Sequence, residues 1–160
     1  MDAIGTPRLR VVPLSLDHAE AILDGRRPDG ANWADGYPTD SSLVAAGYAV
    51  TAAAEGHELG PWTVYQVIRR SDDRVLAGMG FFGPPAGGAV HVGFSESDEA
   101  RADGATPEAL SALIAFARRQ AGVERVCADT AVTNRRVAEV LEGAGMRRTG
   151  SDGELVFYEA

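Results

Sequence analysis

The spacing of hydrophobic residues first predicts a short strand and a helix. Residues 8–12 form a β-type run that ends at Pro13. Ser15 has the character of a helix N-cap and Gly25 that of a helix stop, around an apolar pattern of helical period. The buried face predicted by this pattern consists of Leu16, Ala19, Ile22 and Leu23.

A loop and a second helix follow. Residues 26–38 are rich in Gly, Pro, Asp and Asn, as loops are. Thr39 or Ser41 is predicted to begin the helix, which ends near Gly56. Gly47 weakens its predicted continuity.

The middle of the chain is rich in β-branched and aromatic residues. We predict strands at 62–70, 75–83 and 89–94, separated by turn-forming segments. A four-residue connection between the first two is typical of a hairpin. These strands therefore form an antiparallel meander.

The helical period returns after residue 95. Thr106 or a neighbour caps a helix in which Pro107 suits the first position and Glu108 the first turn, and Gly122 ends it. The predicted buried stripe consists of Leu110, Leu113, Ile114, Ala117 and Ala121. A strand, a polar turn and a helix N-terminus in this order form a potential phosphate site.

The C-terminal part alternates strand and helix. The apolar run 123–132 predicts a strand, buried on both faces if helices flank it. The next helix begins near Thr133 or Asn134, ends at Gly145, and precedes two terminal strands around the turn 151–153. Its predicted stripe consists of Val137, Val140, Leu141 and Ala144. A strand, crossover helix and strand form a parallel unit, whereas the meander before it is antiparallel. We therefore predict an α/β fold with a mixed sheet and helices on both faces. The whole chain, residues 1–160, is predicted to form one domain.

Charge and composition narrow the possible partners. The net charge of −8 argues against nucleic acids and anionic membranes as binding partners. It is compatible with a cationic amine as a partner, although a role in solubility alone explains the negative charge. The single cysteine, Cys127, excludes an internal disulfide and is expected to be a small core residue. No signal peptide, membrane span or metal site is predicted, so we expect a cytoplasmic protein.

Three stretches are similar to motifs of one known family. The first consists of residues 75–83 together with the following strand at 89–94. The second is EARADGATPEAL at 99–110, and the third is TNRRVAEVLEGAGMRR at 133–148. In this order and spacing they resemble the GNAT superfamily of acyl-CoA-dependent N-acetyltransferases. The branch with the bacterial ribosomal-protein N-terminal acetyltransferases is the most similar.

The resemblance implies a mostly antiparallel sheet of six to seven strands, splayed open between residues 89–95 and 124–130. It implies that the pantetheine arm of acetyl-CoA lies in this cleft and the pyrophosphate on the loop 101–106. The implied coenzyme contacts are Phe94, Ser95, Glu96, Arg101, Ala102, Asp103, Gly104, Ala105, Thr106 and Asn134.

The sequence departs from the family pattern in the coenzyme region. Ala102 replaces a glycine, which would cause strain if the backbone there needs a positive φ. Asp103 replaces a neutral or basic residue, and a carboxylate beside a diphosphate costs about 1 kcal/mol at 4 Å in water. Val137 replaces a serine, and Met146 a phenylalanine.

Acetyl transfer to an amine needs a group that accepts the amine proton. The resemblance makes His91, on the strand that borders the cleft, the first candidate base, and Glu96 the second; Glu99 flanks the same cleft. A strand histidine that only bonds a neighbouring loop is the simpler alternative. Leu141 stands where many relatives carry a tyrosine that protonates the thiolate.

The acceptor side involves aromatic residues. The resemblance places Trp33, Tyr37 and Tyr48 there, although loop aromatics can equally close the edge of the core. Three acidic residues could attract an amine or simply be solvated: Asp29, Asp35 and Asp40.

We therefore expect an N-acetyltransferase that uses acetyl-CoA and a primary amine, either a protein N-terminus or a small molecule. Two alternatives remain: a non-catalytic binding module with a weakened coenzyme A site, and a repurposed enzyme with another ligand in the cleft. The chain is expected to be a monomer or a homodimer.

Overall fold

The computed structural model describes residues 2–160, which form one nine-stranded sheet flanked by helices. In chain order the elements are β1 (Ile4–Gly5), β2 (Leu9–Pro13), α1 (Leu16–Leu23), β3 (Asn32–Trp33), α2 (Asp40–Ala54), β4 (Val64–Arg69), β5 (Arg74–Phe81), β6 (Ala89–Glu96), α3 (Asp98–Asp103), α4 (Ala105–Arg118), β7 (Arg125–Ala131), α5 (Arg135–Gly143), β8 (Arg147–Ser151) and β9 (Leu155–Glu159). None of these helices is long and apolar enough to cross a membrane.

The sheet confirms the predicted mixed, mostly antiparallel architecture. Its strand order is β1-β2-β4-β5-β6-β7-β9-β8, with β3 beside β5. Only the β6–β7 and β3–β5 pairs are parallel. The count exceeds the expected six to seven strands because β1 and β3, of two residues each, have no sequence pattern of their own.

The first helix follows its predicted boundaries but not its whole predicted face. The Ser15 side chain accepts a hydrogen bond from the His18 N–H, as an N-cap does. Leu16 and Leu23, predicted to be buried, are 45% and 43% exposed. At 100° per residue both lie at the border of the face that Ile22 buries, so they are only partly covered.

The second helix begins at its capping box. Thr39 Oγ1 accepts from the Ser42 N–H, and Ser42 Oγ accepts from the Thr39 N–H. Gly47 does not interrupt the helix. A Cβ there would lie 3.9 Å from Leu23 Cδ2, so the glycine sits where α2 approaches α1.

The C-terminal half is covered by helices on one face only. Burial of β7 on both faces was expected if helices flank it, but α4 and α5 pack on one face and the other is open. β7 accordingly alternates exposed and buried residues. Cys127 points to the open face and is half-buried rather than a core residue. Burial and the nearby Glu159 raise the pKa of its thiol. In α4, Ala121 is exposed because the helix ends before it.

Candidate functional site

The sheet is split between β6 and β7. These strands pair over only three residues each, ending at His91 and Cys127, although β6 continues to Glu96 and β7 to Ala131. The His91 carbonyl accepts a hydrogen bond from the Phe82 N–H on the other side of β6. Because backbone direction alternates along a strand, the polar groups of Phe94 face the gap and have no partner on β7.

A cavity of about 900 Å³ passes through this gap. Its inner walls, on the side of α5, are Ala128, Thr130, Val137 and Leu141. On the other side of the sheet it reaches α2, where Val44 and Tyr48 line it. Two reactants could therefore approach one point from opposite faces of the sheet.

His91 lies on the rim of this cavity. Its side chain is exposed, and its ring makes no hydrogen bond to any residue in 2–160. The carboxylate of Asp129 also lines the cavity, on β7. His91 and Cys127 are register partners, so their side chains lie on the same face of the sheet. Asp129 is two residues beyond Cys127 on β7, so the side chains of Asp129 and His91 both lie on the open face.

Glycines make room on the α2 side of the sheet. Gly80 and Gly93 are register partners on β5 and β6. A Cβ at Gly93 would lie 2.7 Å from Phe82 Cζ, so the Phe82 ring rests directly on this glycine. Phe82 is 78% exposed and also lines the cavity. The missing side chains thus leave a hollow with an exposed aromatic ring at its edge.

The expected pyrophosphate loop is helical. Residues 98–103 form α3, which ends at Gly104 with φ 68°, and α4 begins at the next residue. Ala102 lies within α3, and Asp73 is the only non-glycine residue in 2–160 with a positive φ. The strain expected at Ala102 is therefore absent, since the left-handed conformation falls on Gly104.

Asp103 is not an unpaired carboxylate. Its Oδ1 lies 3.3 Å from Arg8 Nη1, and its Oδ2 lies 3.4 Å from Arg69 Nη1. Arg69 also bonds Glu99, which pairs in turn with Arg74. The expectation that Asp103 opposes a bound diphosphate is therefore not supported, because two guanidinium groups offset its charge.

Glu96, the last residue of β6, lies beside the N-terminal end of α4 and does not line the cavity. Its side chain, 7% exposed, accepts hydrogen bonds from Arg136 and Thr106, and Arg101 lies 3.6 Å away. Burial alone would raise the pKa of Glu96, but the bonds from Arg136 and Thr106 outweigh it and hold the pKa below its usual range. A carboxylate held in this way is a poor base.

The N-terminus of α4 is buried. Its first two residues, Ala105 and Thr106, are 0% exposed, and the Thr106 hydroxyl donates to Glu96. The side chain of Arg101, 3.6 Å from Glu96, is half-exposed. Asn134 is the N-cap of α5, where its Oδ1 accepts from the Val137 N–H at 3.1 Å.

The aromatic candidates separate into two groups. Trp33 packs edge-on against Tyr37 at 5.6 Å in the core below α1 and does not line the cavity. Tyr37 and Tyr48 do line it. The three acidic candidates are exposed and lie outside the cavity: Asp29, Asp35 and Asp40.

Several site residues escaped the sequence analysis. The cavity and its surroundings also include Gln66, Phe82, Asp129, Thr130 and Arg136. Gln66 was detectable, because it interrupts the apolar strand VYQVI with an amide. Nothing in the sequence indicates the ion pair of Arg136, because it depends on how α5 docks beside β6.

A split sheet with a cavity through the gap is the architecture that the resemblance implies for coenzyme A-dependent acetyltransferases. The chain belongs to this family: the acetyltransferase (GNAT) domain matches residues 8–147. No curated protein matches the sequence.

Solved structures share the fold at low sequence identity. A GNAT-family acetyltransferase from Bacillus anthracis is 16% identical, with a TM-score of 0.67 over 99% of this chain and 97% of that one. RimL, a ribosomal L7/L12 α-N-protein acetyltransferase in complex with coenzyme A, is 14% identical, with a TM-score of 0.69 over 99% and 97%. The ribosomal-protein-S5-alanine acetyltransferase from Vibrio fischeri is 14% identical, with a TM-score of 0.66 over 100% and 96%.

Proposed function

We propose that this protein is an N-acetyltransferase that transfers the acetyl group of acetyl-CoA to a primary amine. One observation carries the proposal: a single cavity joins the unpaired edge of β6 to a separate pocket beside α2. A thioester and an amine that enter from opposite faces meet beside Phe94. Holding two reactants in this way supplies much of the rate of a bimolecular reaction.

The gap suits the pantetheine arm. An extended amide chain can bond the free backbone groups of Phe94 as a β-strand would, and the walls Ala128 and Val137 are apolar. For the pyrophosphate, the donors are the guanidinium groups of Arg101 and Arg136, beside the positive N-terminal end of α4. Acetyl-CoA supplies the activated acyl group.

The reacting groups are assigned from their positions. The Phe94 N–H, at the open edge of β6, donates to the acyl carbonyl oxygen as negative charge develops there. His91 accepts the amine proton, directly or through water. Thr130, buried on the gap wall, offers its hydroxyl near the sulfur position, where Leu141 cannot donate.

Blocking the gap tests the proposal. Ala128→Leu places a larger side chain in the gap, whereas Ala131→Leu adds the same group to an exposed position of β7 outside the cavity. Calorimetric titration with acetyl-CoA should show binding to the wild type and to Ala131→Leu, but not to Ala128→Leu. Thiol release with a panel of primary amines then tests transfer. The sequence contains no lysine, so lysine self-acetylation does not contribute to the signal.

A non-catalytic binding module is the second candidate, and Glu96 is the observation that favours it. Its carboxylate already binds Thr106 and Arg136, two of the groups that a pyrophosphate would approach. Absence of any calorimetric response to millimolar acetyl-CoA would favour this candidate and reject acetyl transfer.

A further inference from the structure

The acceptor pocket has a polar inner wall formed by Gln66 and Tyr37. Gln66 lies on β4 and is 4% exposed; Tyr37, just before α2, is 6% exposed. Gln66 Nε2 donates to the Tyr37 hydroxyl at 2.9 Å. Both side chains line the cavity although both are almost completely buried. Whatever contact they make with solvent is therefore made through the cavity.

This pair has unused hydrogen-bonding capacity. Gln66 Oε1 has no partner among residues 2–160, and no fully enclosed side-chain oxygen or nitrogen there lacks one. Oε1 therefore opens on the cavity. The Tyr37 hydroxyl accepts from Gln66 but donates to no described residue. Burial raises the pKa of Tyr37, only partly offset by the bond from Gln66, so the phenol keeps its proton. One acceptor and one donor thus lie side by side.

A hollow lies next to this pair. Gln66, Gly78 and Ser95 are register neighbours on β4, β5 and β6, and the middle one has no side chain. A Cβ at Gly78 would lie 3.6 Å from Ser42 Oγ and 3.9 Å from Ser95 Oγ, which is ordinary contact distance. Those hydroxyls already bond each other and Thr39. Gln66 Oε1 and the Tyr37 hydroxyl proton, by contrast, have no partner among residues 2–160 and are the groups best placed to bind a ligand here.

The charge of the wall determines what can bind. Among the described residues that line the cavity there is no arginine, and Asp129 is the only carboxylate. The one histidine, His91, lies at the rim, four residues from Ser95 along β6, and does not reach the hollow. Asp129 lies on β7, separated from Gln66 on β4 by two strands. A carboxylate in the hollow would have no cation, and burying an unpaired charge is strongly unfavourable.

We infer that Gln66 and Tyr37 form a subsite for a neutral hydrogen-bonding group of the acceptor, a hydroxyl or a primary carboxamide. Either group donates to Gln66 Oε1 and accepts from the Tyr37 hydroxyl. The acceptor is thus an amino alcohol or amino amide rather than an amino acid with a free carboxylate. This inference rests on the proposed acetyl transfer and specifies its acceptor.

The test uses matched amines. Amino amides, amino alcohols, amino carboxylates and plain alkylamines with two to six carbons are compared by kcat/KM in the thiol-release assay. At the preferred length, the amide or alcohol should exceed the alkylamine by at least about tenfold, because a site built for hydrogen bonds disfavours an analogue that lacks them. The carboxylate should be the poorest acceptor.

Two variants connect this preference to the subsite. Gln66→Met keeps the side-chain length but removes the amide, so the ratio of amide to alkylamine should fall to about one. Gly78→Ala fills the hollow and should lower the same ratio, whether or not Gln66→Met folds. Gln120→Met is the matched control, because Gln120 lies outside the cavity and bonds the Phe116 carbonyl. It should keep the wild-type ratio.

Calorimetric titration of the same amines provides a second readout. An amide preference in binding that is lost in the variants, without thiol release from any amine, would reject acetyl transfer but support the subsite. Thiol release with equal ratios in wild type and Gln66→Met would support acetyl transfer and overturn the subsite. Equal or better use of the carboxylates would also overturn it.

Discussion

Arg136 and Glu96 form a two-pronged ion pair, with Nε 2.6 Å from Oε1 and Nη2 3.0 Å from Oε2. Arg136 is on α5 and Glu96 ends β6, so the pair crosses the open end of the gap between β6 and β7. Thr106, at the start of α4, donates to the same carboxylate. An internal anion therefore occupies the positive end of α4, where the proposed function places a coenzyme phosphate.

Glu96→Gln should tighten the binding of coenzyme A. The variant removes a negative charge from the phosphate region and releases the guanidinium of Arg136, so the Kd should fall by up to about tenfold. Glu99→Gln is the control, because Glu99 is bound by Arg69 and Arg74 instead. Calorimetry with coenzyme A measures both. Weaker binding by Glu96→Gln would mean that the carboxylate orients Arg136 for the ligand.

The same ion pair should make the protein acid-sensitive. The pKa of Glu96 is lowered in the folded protein, so its contribution to stability is present above about pH 4.5 and is lost as the pH falls through the folded-state pKa. As the pH falls below about 4.5, the free energy of unfolding of the wild type should therefore drop more steeply than that of Glu96→Gln. Urea unfolding at several pH values measures the difference. Parallel curves would contradict the assignment.

His91→Ala should lower kcat for acetyl transfer by about 100-fold or more, because a general base typically contributes that much. Since the side chain is exposed and makes no hydrogen bond within residues 2–160, stability and coenzyme A binding should not change. His57→Ala is the matched control, an exposed histidine that pairs only with Glu55. An unchanged kcat in His91→Ala would remove His91 from the mechanism.

Two glycines of β5 should respond differently to alanine. A Cβ at Gly80 would lie 2.7 Å from the Thr63 carbonyl oxygen and 3.0 Å from Val64 Cα, and these backbone atoms cannot move without disturbing β4. Gly80→Ala should cost about 1–3 kcal/mol of unfolding free energy. Gly78→Ala meets its neighbours at ordinary contact distance and should fold with little change. Chemical denaturation compares the two, and equal stability would contradict the clash.

The sequence predicted the order of the longer elements because each has strong local signals. The β4–β5 hairpin, the stripe of α4 and the N-cap at Ser15 depend on period and end residues alone. The splayed cleft came from the family resemblance, since the local pattern of β6 does not show where its pairing with β7 stops.

The coenzyme region was predicted less well because it depends on long-range contacts. The sequence around Gly104 indicates a turn, but residues 98–103 form α3, whose Glu99 and Asp103 pair with arginines of β4 and β5. The partners of Asp103 lie 95 and 34 residues away in the chain, beyond the reach of any local pattern. The same holds for Gln66 and Tyr37, which are 29 residues apart.

The split between β6 and β7 coincides with a division of the chain itself. Apart from that junction, every strand pair lies wholly before residue 97 or wholly after residue 124. Each segment therefore contains both partners of its own strand pairs, and the cleft lies where the two segments meet. A chain divided between Gln120 and Glu124 would keep all of these pairs within its two pieces, which makes the protein suited to assembly from fragments.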